Sequence, residues 1–217
     1  MVFIDAQNMY HGARDAFGWD GHPGHFGNFR PLALGRMLTQ DSDRRLEQIR
    51  VYTGVPTAAR DRKGNAIQQR RIAAWVADAP ILVEVFPRPL RYPPDAGREK
   101  GVDVELAIDM VELALDDSYD IAILASADTD LVPALQLVDR RCPEKTLETI
   151  AWEPVPECEG NTAAAIDIPG GGVKRRMLDH IDLQRLEDRR NFVIATTDPA
   201  KVVGKPRWDK ISGRLRR

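Results

Sequence analysis

The residues most suggestive of chemistry in this sequence are aspartates placed at the ends of apolar runs. Asp5 follows the run Val2-Phe3-Ile4, and Asp128 and Asp130 follow the run from Ile121 to Ala125. Parallel sheets bind ligands outside the carboxyl ends of their strands. If the two runs are neighbouring strands, these carboxylates meet at one edge of a sheet.

A further aspartate, Asp103, lies in a segment whose apolar residues recur at helical spacing. At roughly 100° per residue, seven apolar residues fall on the same face as Asp103: Val102, Leu106, Ala107, Met110, Val111, Leu113 and Ala114. A carboxylate on such a face is costly unless it is paired or bound to a metal. Asp103 is therefore the most informative acid, whereas Asp109 lies at the edge of the polar arc and ranks well below it.

Clustered carboxylates repel one another unless a cation joins them. Mg²⁺ and Mn²⁺ prefer oxygen ligands, and such ions activate water and stabilise the charge that builds during phosphate hydrolysis. Each acid also has a structural alternative. Asp5 can cap the turn that follows it, Asp128 or Asp130 can cap the helix that starts near Leu131, and Asp103 can favour the dipole of its own helix. One shared site is the better explanation for four such acids at one edge.

Strand-like and helical segments alternate along the chain, which is typical of βαβ units and a parallel sheet. The predicted strands are 2–4, 49–55, 81–86, 121–125 and 146–152. The predicted helices are 31–38, 60–78, 100–115, 131–141 and 174–191. The strands are continuously apolar rather than alternating, so we expect helices on both faces of the sheet.

The pattern weakens after Pro154, so we predict a domain over residues 1–155 and an extension over 156–217. The extension is expected to contain the last helix and a basic, mobile tail. Residues 205–217 carry six Lys or Arg and one acid.

The bulk composition is that of an ordinary globular protein. The 217 residues carry a net charge of −2, which argues against a nucleic-acid binder of high overall charge but not against segregated charges. Two cysteines give no disulfide framework, and we find neither a signal peptide nor a membrane-spanning apolar run. We expect a reduced, cytoplasmic protein.

Three blocks in order resemble the NYN domain family of the PIN-like nuclease superfamily. They are residues 2–8 (VFIDAQN), 99–109 (EKGVDVELAID) and 119–133 (from Tyr119-Asp120 to SADTDLVP). The similarity covers about residues 1–155. The chain departs from the family at Ala127, where glycine is usual, and this small change should leave the site intact.

The resemblance implies an α/β, Rossmann-like, PIN-type three-layer sandwich with a central, mostly parallel sheet of five or six strands. It also implies ribonuclease activity with Mg²⁺ or Mn²⁺. Carried over by position, Asp5, Asp103 and Asp128 are catalytic metal ligands, Asp130 completes the cluster, and Asn8 orients a water or phosphate. PIN-like domains often dimerise, so a homodimer is one expectation and the oligomeric state stays open.

Basic residues near the acids suggest how single-stranded RNA would be held. Arg88, Arg91, Arg98 and Lys100 line a proline-rich loop before Asp103, where phosphate contacts and stacking surfaces are needed. Ser126, at the start of the acidic loop, is assigned to substrate binding together with Asn8. His11 is a weaker candidate for a substrate contact.

Two other functions remain open at this point. The chain can be a catalytically weak module that binds RNA or protein through the same fold. The segment from Asp128 to Val132 also resembles the nucleophile loop of haloacid-dehalogenase-type phosphatases, but that loop follows the first strand of its fold and needs further motifs that we do not find here.

Overall fold

The computed structural model describes residues 1–40, 43–92, 100–161 and 164–193, with the side chains of 159–161 left out. These residues build one sheet of six parallel strands in the order β3-β2-β1-β4-β5-β6. The strands are β1 (Val2–Asp5), β2 (Ile49–Val55), β3 (Val83–Pro89), β4 (Ile121–Ala125), β5 (Thr146–Trp152) and β6 (Lys174–Leu178). The predicted α/β class and parallel sheet are confirmed.

Helices cover both faces of the sheet and make a three-layer sandwich. They are α1 (Ala6–Ala16), α2 (Pro31–Thr39), α3 (Arg62–Asp78), α4 (Val102–Leu115), α5 (Val132–Arg141) and α6 (His180–Leu186). One buried cluster joins the sheet to α1, α2, α6 and Trp75 of α3, and a second joins it to α4 and α5. Each layer buries its apolar face against the sheet, which is what stabilises this architecture.

The strand order reverses beside β1. Val2 of β1 pairs with Ile49 of β2 on one side and with Ile123 of β4 on the other. In open α/β sheets, such a reversal separates the connections that follow the two strands and leaves a crevice at their carboxyl ends. β1 ends at Asp5, so the first of the predicted acids lies at this crevice.

Most predicted elements lie within two residues of their observed bounds, but the last predicted helix, 174–191, is wrong. Its first part is strand β6, which pairs with β5 at the sheet edge, and only His180–Leu186 is helical. Asp179 starts α6 with a capping box that it forms with Asp182. Four of the five residues of β6 are exposed, so the strand has no apolar run that could identify it.

Two further differences concern the third strand and the segment that follows the first strand. The predicted third strand, 81–86, begins later, because Ile81 is 93% exposed and precedes the paired residues. The strand then continues to Pro89, which places Arg88 in the sheet rather than in the loop. Helix α1 was not predicted, and it starts directly at the end of β1.

The glycine-rich segment after α1 folds back on that helix. The Arg14 guanidinium donates hydrogen bonds to the backbone carbonyls of Trp19, His22, Pro23 and Phe26. Arg14 thus satisfies the backbone carbonyls of a segment that has little regular secondary structure and holds that segment against α1. His22 and His25 make ring contacts with Phe26 in this segment.

Residues beyond the predicted domain boundary complete the fold. The boundary at residue 155 falls between β5 and β6, which pair in one sheet, and α6 belongs to the same buried cluster as α1 and α2. The basic tail predicted to be mobile lies outside the described residues. Within the described part of the chain, no helix is both long and apolar enough to cross a membrane.

A buried ionic network fastens the last described residues to α3. Arg190 donates to Asp188 at 2.8 Å and to Asp78 at 3.0 Å, and the Trp75 indole donates to Asp188 at 3.3 Å. The Asp188 side chain is 1% exposed. A network so enclosed depends on every partner, because removing one leaves an unpaired buried charge.

We predict that Asp188→Ala lowers the free energy of unfolding by about 3 kcal/mol, because Arg190 then loses its buried carboxylate partner. Urea unfolding followed by circular dichroism measures this change. The control is Glu47→Ala, which breaks an exposed pair with Arg45 and should cost less than about 1 kcal/mol. Equal effects of the two variants would contradict a stabilising role for the buried network.

Candidate active site

Asp5 is both the last residue of β1 and the N-cap of α1. Its Oδ1 accepts a hydrogen bond from the backbone N–H of Asn8 at 2.9 Å. The residue is 6% exposed. The capping role considered from the sequence is therefore real, and it fixes a nearly buried carboxylate at the crevice.

The electrostatics of Asp5 show which acids lie near it. The pKa of Asp5 is raised to about 6, chiefly by burial and to a smaller degree by the negative charges of Asp128 and Asp103. The Asn8 N–H opposes them by stabilising the charged form. This agrees with the packing, because β1 pairs with β4, and α4 contacts both β1 and the turn after β4, so that the segments carrying Asp5, Asp103 and Asp128 are neighbours.

Asp128 is held by a short turn after β4. Its backbone N–H donates to Ser126 Oγ at 3.2 Å, and its Oδ1 accepts from the Asp130 N–H at 3.0 Å. Asp128 thereby caps the 3₁₀ turn Thr129–Leu131 that leads into α5. Ser126 is fully buried, so its hydroxyl positions Asp128, and its predicted role as a substrate contact is not supported by this placement.

Asn8 joins the two halves of the crevice. Its side-chain Oδ1 accepts a hydrogen bond from the backbone N–H of Ala127 at 2.8 Å. This bond links the first turn of α1 to the turn after β4. The predicted orienting residue is therefore itself a structural tie between the segments that carry Asp5 and Asp128, and alanine at position 127 leaves that tie intact.

Asp103 comes from the first turn of α4. The buried residues of this helix are Val102, Leu106, Met110 and Ala114, which confirms the predicted apolar face. Asp103 itself is only partly buried, at the end of that face that lies toward the crevice. Gly101 caps the helix with φ 79°, a left-handed conformation that glycine adopts without strain.

The other predicted site residues are more exposed. Asp130 is exposed and is tied to Asp128 only through its backbone. Arg88 lies at the end of β3 and pairs with Glu105 of α4 at 3.1 Å. Arg91 and Lys100 are exposed, and Arg98 lies outside the described residues.

Sequence reasoning missed a group that anchors α4 on the sheet. Asp109 accepts hydrogen bonds from Arg50 at 2.6 Å and from the Tyr52 hydroxyl at 2.7 Å. An arginine inside the apolar run 49–55 was the available signal, since such a charge needs a partner. Asp109 therefore supports the helix that carries Asp103 and is not part of the acidic cluster.

The acids form a cluster but not a finished metal cage. Among the described residues, no group of three or more His, Cys, Asp and Glu is arranged to hold one metal ion. The available donors are carboxylate oxygens, with the Asn8 amide beside them. This chemistry fits Mg²⁺, which usually keeps several waters and needs only one or two protein carboxylates, better than it fits Zn²⁺.

Comparisons with known proteins agree with this arrangement. The model of the NYN domain matches residues 1–153. The chain belongs to the NYN domain family. That family has a PIN-like nuclease fold, and residues 1–153 include every described member of the acidic cluster.

No curated protein matches the chain. Among solved structures, it is similar to a protein of unknown function from Vibrio parahaemolyticus, at 16% identity and a TM-score of 0.51. The match covers 82% of this chain and 91% of that one. At 16% identity, this similarity is evidence for the fold of the chain and for nothing more.

We predict that Asp5→Asn stabilises the NYN chain at pH 8 in EDTA. The folded state keeps the Asp5 proton up to about pH 6, whereas an ordinary aspartate loses it near 3.8. Wild-type stability therefore falls as the pH rises through this window, by up to about 3 kcal/mol. Asparagine can cap α1 but carries no charge, so the free energy of unfolding of the variant should not fall over this pH range.

The measurement is urea unfolding at pH 4 and pH 8 without divalent ions. The gain from Asp5→Asn should be large at pH 8 and nearly absent at pH 4. Asp116→Asn, which changes an exposed carboxylate at the end of α4, serves as the control. An equal gain at both pH values would show that the charge of Asp5 is not its cause.

We also predict that Asn8→Ala costs about 1–2 kcal/mol, because it leaves the Ala127 N–H without its acceptor. Amide hydrogen exchange at Ala127, followed by NMR, should accelerate together with the loss of stability. Asn8→Asp keeps an acceptor and should slow this exchange relative to Asn8→Ala. An unchanged exchange rate of the Ala127 amide in Asn8→Ala would contradict the hydrogen bond between Asn8 and Ala127.

Proposed function

We propose that this chain is a metal-dependent ribonuclease that hydrolyses phosphodiester bonds of single-stranded RNA. The observation that supports this most is the raised pKa of nearly buried Asp5, to which the charges of Asp128 and Asp103 contribute, at the crevice of an NYN domain. Three acids from β1, α4 and the turn after β4 converge where such folds bind ligands.

The cluster is unfavourable as an isolated feature. A nearly buried carboxylate is held beside two others, and its pKa is raised as a result. A divalent cation would offset both the burial and the repulsion. We therefore propose that Asp5, Asp103 and Asp128 hold Mg²⁺ or Mn²⁺, partly through water, and that exposed Asp130 contributes at the rim.

When bound, the ion would activate water and neutralise phosphate charge during hydrolysis. The protein's own part is to position the acids. Ser126 and Asn8 hold the turn that carries Asp128, and Arg50 with Tyr52 holds α4 through Asp109.

The substrate side is proposed to be the basic residues beside the start of α4. The Arg88 guanidinium lies against Gly101, two residues before Asp103, and is 45% exposed. Arg91 and Lys100 are also exposed. Exposed cations beside an acidic metal site suit phosphate groups that flank the bond to be cut.

We predict that the chain cleaves labelled single-stranded RNA with Mg²⁺ or Mn²⁺, and that EDTA stops the reaction. Asp103→Asn and Asp128→Asn should each lower the rate at least about 100-fold, because each removes a negative oxygen ligand. Asp116→Asn changes an exposed acid at the C-cap of the helix that carries Asp103, and this variant should cut like the wild type.

Thermal unfolding with and without Mn²⁺ distinguishes a variant that has lost metal binding from one that has lost its fold. The wild type should gain stability from Mn²⁺, whereas Asp103→Asn should stay folded without that gain. If the wild type and the variants cleave equally, the acids do not carry the reaction. If none cleaves while RNA still binds, the chain is a binding module of the same fold.

A further inference from the structure

A cavity of about 240 Å³ lies beside the acidic cluster and has no part in the mechanism above. Its floor includes Ala6 and Gln7, the two residues that follow Asp5, and Thr53 and Gly54 at the end of β2. The side walls come from α1, α3 and the glycine-rich segment after α1. The cavity therefore opens at the same edge of the sheet as the crevice.

Arg71 of α3 is the unusual residue of this cavity. Its Nε is the one buried side-chain nitrogen or oxygen among the described residues that has no hydrogen-bond partner. The side chain is partly buried, and its Nη1 donates a long hydrogen bond, 3.3 Å, to Gln68 Oε1. Desolvation lowers the pKa of this guanidinium. Asp188 attracts this guanidinium electrostatically, and the Trp75 and Phe192 ring centroids lie 6.0 and 5.6 Å from its Cζ. The buried Nε still has no acceptor, and such a group calls for a ligand because unpaired buried polar groups are rare.

The walls around Arg71 are aromatic and amide-bearing. Tyr10, Phe29 and Trp75 line the cavity together with Asn28 and Gln68. The Trp75 indole is held by its hydrogen bond to Asp188, and the Tyr10 hydroxyl donates to the Gly24 carbonyl at 2.8 Å. The rings are therefore fixed before any ligand arrives, which lowers the entropic cost of binding.

We propose that this cavity binds one nucleotide of the RNA strand, with Arg71 on its phosphate and the aromatic wall against its base. Only the identity of that strand as the substrate rests on the function proposed above. An unpaired guanidinium suits a phosphate, and aromatic rings with amides suit an unstacked base.

The position of the cavity gives the nucleotide a role. Gln7 is two residues from Asp5, so a nucleotide held here lies next in line to the phosphodiester at the acids. The cavity would then set the register of cleavage and a preference for the base at that position.

Calorimetric titration of the full chain with AMP, GMP, CMP and UMP in EDTA tests this inference. EDTA keeps metal-mediated phosphate binding at the acids out of the measurement. At least one monophosphate should bind, and Arg71→Met should weaken it at least tenfold. Arg140→Met removes the same charge from the far end of α5 and should bind like the wild type.

Gln68→Glu provides a second variant that should keep the fold. It places a carboxylate where Gln68 accepts from Arg71, so the guanidinium gains a direct anionic partner without the loss of a side chain. The Thr53 hydroxyl, to which Gln68 now donates at 3.0 Å, can donate to the carboxylate instead. Nucleotide binding should fall at least tenfold while the melting temperature stays level or rises.

Three results would overturn the proposal. They are no binding of any monophosphate, binding of inorganic phosphate as tight as that of the nucleotides, and equal binding by Arg71→Met and Arg140→Met. None of these bears on whether RNA is cut, because cleavage is assayed with metal and depends on the acids. Conversely, an inert chain that binds a monophosphate through Arg71 supports the cavity and contradicts the nuclease.

Discussion

The hydrogen bond from the Ala127 N–H to Asn8 Oδ1 is the interaction on which the site depends. β1 and β4 are neighbours only in the sheet, since more than a hundred residues separate them along the chain. Pairing of the two strands fixes where each ends, but not how the chain turns afterwards. The Asn8 side chain sets that turn, and so fixes Asp128 relative to Asp5.

The same side chains serve structure and site. Asp5 caps α1, and Asp128 caps the turn before α5. Capping and metal binding are often treated as competing explanations for an acid, yet an ionised carboxylate has about four lone-pair positions and one N–H uses only one of them. The cap orients the carboxylate and partly offsets the cost of burying it.

What the sequence could predict follows from how each element is buried. β2, β4 and β5 lie inside the sheet and are mostly apolar because most of their residues are buried, so their bounds are recognisable. β6 is an exposed edge strand of mostly charged residues and exists because β5 offers it a partner. Asp5 and Asp128 could be predicted as candidates because they follow apolar runs, and Asp103 because it shares a helix face with apolar residues. The pairing of Asp109 with Arg50 could not, because it joins residues 59 positions apart.

Charge placement explains why a net charge of −2 does not argue against RNA. The carboxylates are gathered at the crevice, whereas Arg88 lies at the end of β3 and Arg71 in the wall of the neighbouring cavity. Phosphates are repelled by the acids unless a cation lies between them, but are attracted to the arginines on their own. Strand binding and metal binding can therefore be separated by experiment. A metal-free chain should still hold RNA at its arginines, and the cation should decide whether the strand is cut.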